Sequence, residues 1–384
     1  MIDSSELTEE QRQIRETLRA FFEKEAPFEV VADLDRNERY PAETLAKMGE
    51  LGLWGLAVEE SYGGTPADAR TRCLIVEEIQ RAGSTFGYAF IPTALFCAEA
   101  IGRFGSEEQR EELLPRLAAG ELRMAMSLSE PEAGSDLMGL STRGTIEGDE
   151  IVISGQKIFT TGADTAELIL MLVRTDREAP ARSAMTFVLV PREAAGVAIQ
   201  PIRKLAGQGT HTCEVFLDEV RLPLEGVLGE VGGGTGIVME LLDADRVYTA
   251  AQSLGIAQGA FDLARRYAAE RHQFGVPIIE HQAVGHMLAD MWMRIESARQ
   301  ITWSAAGLLD EGLPCRREAA MAKIVASEAG TQCALHGMQI LGGYSYMVEY
   351  GMERFFRESK IQEIFGGTNQ VLRNVLVREL SRLA

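Results

Sequence analysis

Cysteine, histidine and positive charge are all scarce in this chain. Its five cysteines (Cys73, Cys97, Cys213, Cys315 and Cys333) are scattered, odd in number and free of any C-x-x-C pair. That excludes a disulfide framework and a zinc site, and points to reduced thiols in a cytoplasmic protein. The five histidines show no metal spacing: His281 and His286 stand five apart, and no H-E-x-x-H occurs. No apolar run reads as long enough to cross a bilayer. No basic amino-terminal region precedes an apolar one, so no signal peptide is expected. Lysine and arginine number 38 against 57 aspartate and glutamate, a net charge of −19. So acidic a chain is a poor partner for nucleic acid or an anionic membrane, although a local basic pocket can still hold an anionic ligand.

What is present is ordinary globular material. The 384 residues are 46% hydrophobic and 25% charged, which argues against disorder and predicts two or three domains. Three compositional blocks follow one another. Residues 1–122 read as helical: Ser5-Glu6-Leu7-Thr8-Glu9-Glu10 predicts a helix start with Thr8 as N-cap, and Gly49, Gly52, Gly63 and Gly64 read as turns. Residues 123–233 carry short β-prone runs at 151–153, 168–173, 186–190, 197–199 and 213–217, with no helix between them. That pattern predicts an antiparallel sheet or barrel rather than a doubly wound one. Residues 234–384 regain the helical period. Val247, Ala250, Leu254, Ala257, Phe261, Ala264 and Ala268 form one apolar stripe, and Leu288 to Ala305 forms a second. A third helix is expected over 319–341 and a fourth over most of the last 30 residues, making a four-helix bundle. The Gly232–Gly236 run follows no βαβ pattern and reads as a linker.

Several segments look chemical. Ser129-Glu130-Pro131-Glu132-Ala133-Gly134-Ser135-Asp136 is rich in turn formers. Lys157 to Gly162 follows the first strand, Arg271-His272-Gln273-Phe274-Gly275 with Gln282 follows the first stripe, and Gln339-Ile340-Leu341-Gly342-Gly343 resembles a helix end. Phe365-Gly366-Gly367-Thr368-Asn369-Gln370 lies near the carboxy terminus. In this order and spacing, along essentially the whole chain, these segments resemble those of the acyl-CoA dehydrogenase family. The resemblance implies a mainly α fold with a middle β-domain: an N-terminal helical domain, an antiparallel β-barrel or sandwich, and a C-terminal four-helix bundle.

It also implies FAD as cofactor and an acyl-CoA thioester as substrate. By resemblance, Leu128, Ser129 and Ser135 face the flavin or the CoA arm. Phe159 covers the isoalloxazine and Thr161 bonds its N5. Arg271, Phe274, Gln282, Gln339, Gly342 and Gly343 reach the FAD of a neighbouring subunit, and Thr368 and Gln370 hold its phosphate or adenosine. Electron-transferring flavoprotein is the implied oxidant and a homotetramer the implied assembly, with a dimer or hetero-oligomer as alternatives. Gln208 stands where many members carry Arg.

One departure governs the reading. The position that carries the catalytic glutamate in most members is Gly366 here. Glycine keeps the backbone N–H that, in the family, helps stabilise the enolate-like oxygen, so only the base needs replacement. Leu242-Asp243-Ala244-Asp245-Arg246 resembles the segment that carries the base in isovaleryl- and long-chain-type members. Asp245 is therefore the candidate base, kept ionised by Arg246, with Asp243 at a pantetheine-binding position and Gly366 and Gly367 beside the substrate. Another reading makes Asp245 a first-turn acid serving the helix dipole. Glu363 is a second candidate base. The loss of bulk at Gly366 and Phe159 points to a branched, cyclic or polycyclic acyl group. Three alternatives remain at this stage: a non-oxidative acyl-CoA lyase of desulfinase type, a flavin oxidase, and a catalytically silent subunit of a hetero-oligomer.

Overall fold

The computed structural model describes residues 7–383. Ser5 and Glu6 of the expected helix start lie outside the described residues. Thr8 caps the first helix as expected, in a reciprocal capping box with Gln11. The first block contains α1 (Glu9–Glu25), α2 (Phe28–Arg36), α3 (Ala42–Glu50), α4 (Ala69–Ala82), α5 (Ser84–Ile91), α6 (Ala98–Phe104) and α7 (Glu107–Ala118). Gly52 and Gly63 sit in left-handed turns, whereas Gly49 falls inside α3.

Helices α5 and α6 join through one wide turn at Pro92–Cys97. Contrary to expectation, the stretch Ser84–Phe104 is long and apolar enough to cross a membrane by length and composition. Its most apolar window is 72% buried inside the protein, so here it serves as a core helix.

The middle block folds as β1 (Met124–Ser127), β2 (Arg143–Glu147), β3 (Glu150–Thr161), β4 (Leu168–Arg174), β5 (Met185–Pro191), β6 (Val197–Ile202), β7 (Thr212–Pro223) and β8 (Val227–Leu228). The sheet runs β6-β7-β3-β2-β4-β5-β8, with β1 added on β4. Neighbours are antiparallel except at β4, which β1 joins in parallel and β2 meets through a single parallel bridge. Alternation fails on β4 and β5 because both faces are covered: Ile169 to Val173 are all fully buried.

The last block holds α8 (Gly234–Glu270), α9 (Gln282–Asp310), α10 (Arg316–Leu341), α11 (Met352–Ser359) and α12 (Asn369–Leu383). Two sequence expectations need correction. The Gly232–Gly236 run is not a linker: Gly234 opens α8, and a Cβ there would stand 2.8 Å from Leu172 and 2.9 Å from the Met185 carbonyl. The glycine therefore lets α8 start hard against the sheet. The expected fourth helix is broken into α11 and α12: α11 tightens into a 3₁₀ turn at Lys360–Glu363, and Gly366 and Gly367, at positive φ, then keep the chain from resuming the helix before Asn369. Residues of α1 to α5 and of α8 to α11 share one apolar core, so the two helical blocks pack as a unit although the sheet separates them in sequence.

Candidate active site

Helix α8 presents Asp245, Tyr248 and Thr249 on one face, since residues three and four apart are neighbours. Asp245 lies eleven residues, about three turns, beyond the start of α8 at Gly234. That is outside the first turn, where the helix dipole acts, so the dipole does not account for this acid. Arg246 does not pair with it either. The Arg246 Nη1 bonds Asp243 Oδ1 at 2.9 Å, and Arg316 approaches the other Asp243 oxygen at 3.6 Å. Asp243 is thus the ion-paired acid. Asp245 is half-buried and has no hydrogen bond or ion pair among the described residues. Burial raises its carboxyl to about 6, with Arg246 pulling down, Glu99 pushing up and Lys323 pulling down. An unpaired carboxylate raised by burial is an observation that points to function.

The turn after α11 closes on this face. A Cβ built on Gly366 would lie 3.6 Å from Asp245 Oδ2 and 3.3 Å from Thr249 Oγ1. An acid on α8 therefore stands beside position 366, which carries none. Thr249 is fully buried and its hydroxyl has no partner among the described residues. The Gly366 and Gly367 N–H groups likewise find no acceptor among the described residues. These are free donors beside a free carboxylate. Glu363, the other candidate base, is not free: Thr331 and Lys360 each bond one of its oxygens at 2.6 Å. Burial works to raise its carboxyl, but those two partners bring it below its usual value.

A second cluster lies on the sheet. Ile158 donates its N–H to the Ser129 carbonyl at 3.0 Å, which ties the Leu128–Asp136 loop to β3. Lys157, fully buried, donates to the Leu128 carbonyl at 3.0 Å and to Glu130 at 2.9 Å. Glu130 also accepts from Ser141 and Thr142. Burial acts to raise the Glu130 carboxyl, yet the Lys157 charge and these bonds hold it down at about 2. Sequence reasoning missed this pair; the signal was a lysine on a buried strand position. Removing one partner of a buried pair costs about 3–5 kcal/mol. Lys157→Met should therefore lower thermal stability and loosen the 128–136 loop, measured as a drop in Tm and in retained flavin.

The pair frames Phe159, which is not a core residue of an alternating strand. A register shift between Lys157 and Thr160 puts Phe159 at φ 61° with its side chain 64% exposed. Such a left-handed non-glycine costs roughly 1–3 kcal/mol and clusters at functional sites. Thr161 is half-buried, its hydroxyl 3.4 Å from that of Thr212 on β7. Ser135 is exposed at the tip of its loop.

A third group sits at the far end of α8. Arg271 stacks over the Tyr344 ring at 5.6 Å, which places it beside the Gln339–Gly343 turn. Gly342 caps α10 at φ 60°. Phe274 is 95% exposed, its ring edge-on to His281. Gln282 and Gln339 are also exposed. Twenty-five residues of α8 separate this end from Asp245, about 38 Å along the axis. Thr368 caps α12 by accepting from the Val371 N–H, with Gln370 exposed beside it. The predicted residues thus gather in three places: Asp243, Asp245, Arg246, Gly366, Gly367 and Thr368 at the α8–α12 turn, Leu128 to Thr161 on the sheet, and Arg271 to Gly343 at the remote helix ends.

Models of the acyl-CoA dehydrogenase N-terminal, middle and C-terminal domains match residues 8–121, 125–220 and 232–381. The chain belongs to the acyl-CoA dehydrogenase family. It is 39% identical to the probable acyl-CoA dehydrogenase YngJ of Bacillus subtilis, over 98% of this chain and 99% of that protein. A glutaryl-coenzyme A dehydrogenase in complex with glutaryl-CoA superposes with a TM-score of 0.94 at 32% identity, covering 98% of this chain and 96% of that one. Butyryl-CoA dehydrogenase from Megasphaera elsdenii gives 0.93 at 34% identity, covering 97% and 98%.

This chain is accordingly an FAD-dependent oxidoreductase, and its residues fit that cofactor. Gly134, Gly342 and Gly343 turn bare backbone outward with open space where a Cβ would stand. Phe159 offers an uncovered ring and Thr161 a hydroxyl one bulge away.

Proposed function

We propose that this chain oxidises an acyl-CoA thioester to its 2,3-enoyl-CoA, with Asp245 as the base. The observation that carries this is the unpaired Asp245 carboxylate, 3.6 Å from the empty Cβ position of Gly366. Asp245 takes a proton from Cα, while the Gly366 N–H donates to the thioester oxygen as charge develops there. FAD, when bound, supplies the two-electron acceptor for the hydride that leaves Cβ. Thr161, Phe159, Leu128, Ser129 and Ser135 would hold the cofactor, Thr368 and Gln370 its phosphate or adenosine, and Asp243 and Arg246 the pantetheine arm of the substrate. The loss of side-chain bulk at Gly366 and Phe159 favours a branched, cyclic or polycyclic acyl group.

Arg271, Phe274, Gln282, Gln339, Gly342 and Gly343 stand too far from Asp245 for one chain to bring both groups to one FAD. They serve a neighbouring copy, which favours a homotetramer or dimer. Electron-transferring flavoprotein is the proposed acceptor and the cytoplasm the proposed location. The domains divide at 1–122, 123–233 and 234–384.

The test is an anaerobic titration of the purified flavoprotein with straight, branched, cyclic and steroid-derived acyl-CoAs. Bleaching of the oxidised flavin by one class supports the reading. No bleaching by any thioester favours the lyase or the silent subunit, and rapid reoxidation by air favours an oxidase.

The raised Asp245 carboxyl adds a pH prediction. Catalysis needs the ionised form, so kcat should rise with pH through about 6. Stability runs the other way. The folded state holds the Asp245 proton more tightly than the unfolded chain, so this group's contribution is full below about 4 and lost as pH rises through about 6. Asp245→Asn should raise stability above pH 7 by roughly 1–3 kcal/mol while removing activity, seen as a higher Tm at pH 8.

A further inference from the structure

Lys323 on α10 is fully buried, and its ammonium makes no ion pair among the described residues. A buried charge normally pairs with an opposite one. Lys323 instead donates to two neutral acceptors, the Gly367 carbonyl at 2.9 Å and Asn369 Oδ1 at 3.1 Å. Ser327 fixes Asn369 in turn, through bonds at 3.0 and 3.2 Å. The Gly367 carbonyl belongs to the turn that carries the free Gly366 N–H, and Asn369 opens α12 directly after it. An ammonium has three donors, and two are committed to this turn and the helix start that follows it.

The charged groups around it come from several elements. Asp245 and Arg246 act on its charge from α8, and Glu363 from the segment before Gly366. Burial lowers the Lys323 ammonium to about 8, with Glu363 and Asp245 acting to raise it and Arg246 to lower it. Glu363 is already ion-paired with Lys360 and accepts a hydrogen bond from Thr331. Asp245 is the unpaired acid of the set. Arg246 first and Lys323 after it favour the ionised form of Asp245, while Glu99 on α6 opposes them.

We propose that Lys323 is a positioning residue for α-proton abstraction, anchoring the Gly366–Gly367 turn through the Gly367 carbonyl and holding Asp245 as the carboxylate. This rests on the proposed role of Asp245. The anchor sets where the Gly366 N–H stands, and the charge sets how much of Asp245 is ready to accept a proton. An N–H displaced by ~1 Å costs on the order of 10²-fold in rate. The ammonium does not touch substrate. It acts through the turn and through the carboxylate.

Two variants separate these effects. Lys323→Gln keeps a donor for the Gly367 carbonyl and removes the charge. Lys323→Met removes both. With Lys323→Gln, kcat should fall roughly tenfold at pH 7, KM should stay within about threefold, and the acid limb of the kcat–pH profile should move above about 6. With Lys323→Met, kcat should fall roughly 10²-fold with the same shift. An acid limb that stays in place in both variants overturns the proposal. So does a loss confined to KM, or loss of FAD and of the fold in both variants, which would make Lys323 structural. Failure of the Asp245 reading shows differently: Asp245→Asn would then bleach as fast as the wild type, whatever the Lys323 variants do.

Discussion

Asp245→Asn should slow anaerobic flavin bleaching by an acyl-CoA roughly 10³-fold, within the ~10²–10⁴-fold that a positioned base contributes. Asparagine preserves the shape of the side chain and removes only its basicity. Asp245 makes no hydrogen bond or ion pair among the described residues, so the substitution breaks no contact. The flavin spectrum and the affinity for the thioester should therefore stay near wild type, with the loss in kcat rather than KM. Stopped-flow absorbance under anaerobic conditions checks it. A structural acid would give the opposite pattern: unchanged bleaching, or a protein that no longer holds flavin.

The second large effect comes from moving the acid back. Gly366→Glu alone should lower kcat by tenfold or more at pH 7. Its Cβ enters 3.6 Å from Asp245 Oδ2 and 3.3 Å from Thr249 Oγ1, on a backbone at φ 66°. Left-handed backbone costs an L-residue ~1–2 kcal/mol, and two carboxylates in one pocket raise each other's proton affinity. Combining Gly366→Glu with Asp245→Ala removes the like-charge conflict and restores an acid to the same pocket. The double variant should bleach roughly 10²-fold faster than Asp245→Ala alone, a non-additive result expected of residues that share one role. If the double variant is no better than Asp245→Ala, the two positions do not serve one proton.

The apolar stripe from Val247 to Ala268 was legible because apolar residues recur along α8 at helical spacing, although its middle, from Arg246 to Phe261, is buried on every side. The complementarity of Asp245 and Gly366 was legible only through resemblance, since 121 residues separate them in sequence. Their approach depends on α8 and the 364–368 turn docking together, which no local pattern encodes. Strand β1 was missed because Met-Ala-Met-Ser has little β preference; its pairing with β4 supplies what propensity does not. The fourth helix was overextended because an apolar period continued through the 3₁₀ turn at Lys360–Glu363 and the two glycines of positive φ that interrupt it. Lys157 and Lys323 escaped because a lysine reads as a surface residue. In both cases the warning was present: a charge at a position that the strand or helix period assigns to the interior.

The expectation for Arg246 also changed for a physical reason. Adjacent residues on a helix do not face each other, so Arg246 bonds Asp243, three residues back, rather than Asp245. That leaves Asp245 unpaired, and lets burial raise its carboxyl to about 6, closer to the pH at which a base is useful.

The most direct measurement is deuterium wash-in at Cα. Wild type and Asp245→Asn are each incubated anaerobically in heavy water with an acyl-CoA that bleaches the wild-type flavin, and the recovered thioester is analysed by mass spectrometry. Reversible proton removal by Asp245 predicts deuterium at Cα with wild type and a rate at least 10²-fold lower with Asp245→Asn. Equal incorporation by the two proteins would contradict the assignment of Asp245 as the base.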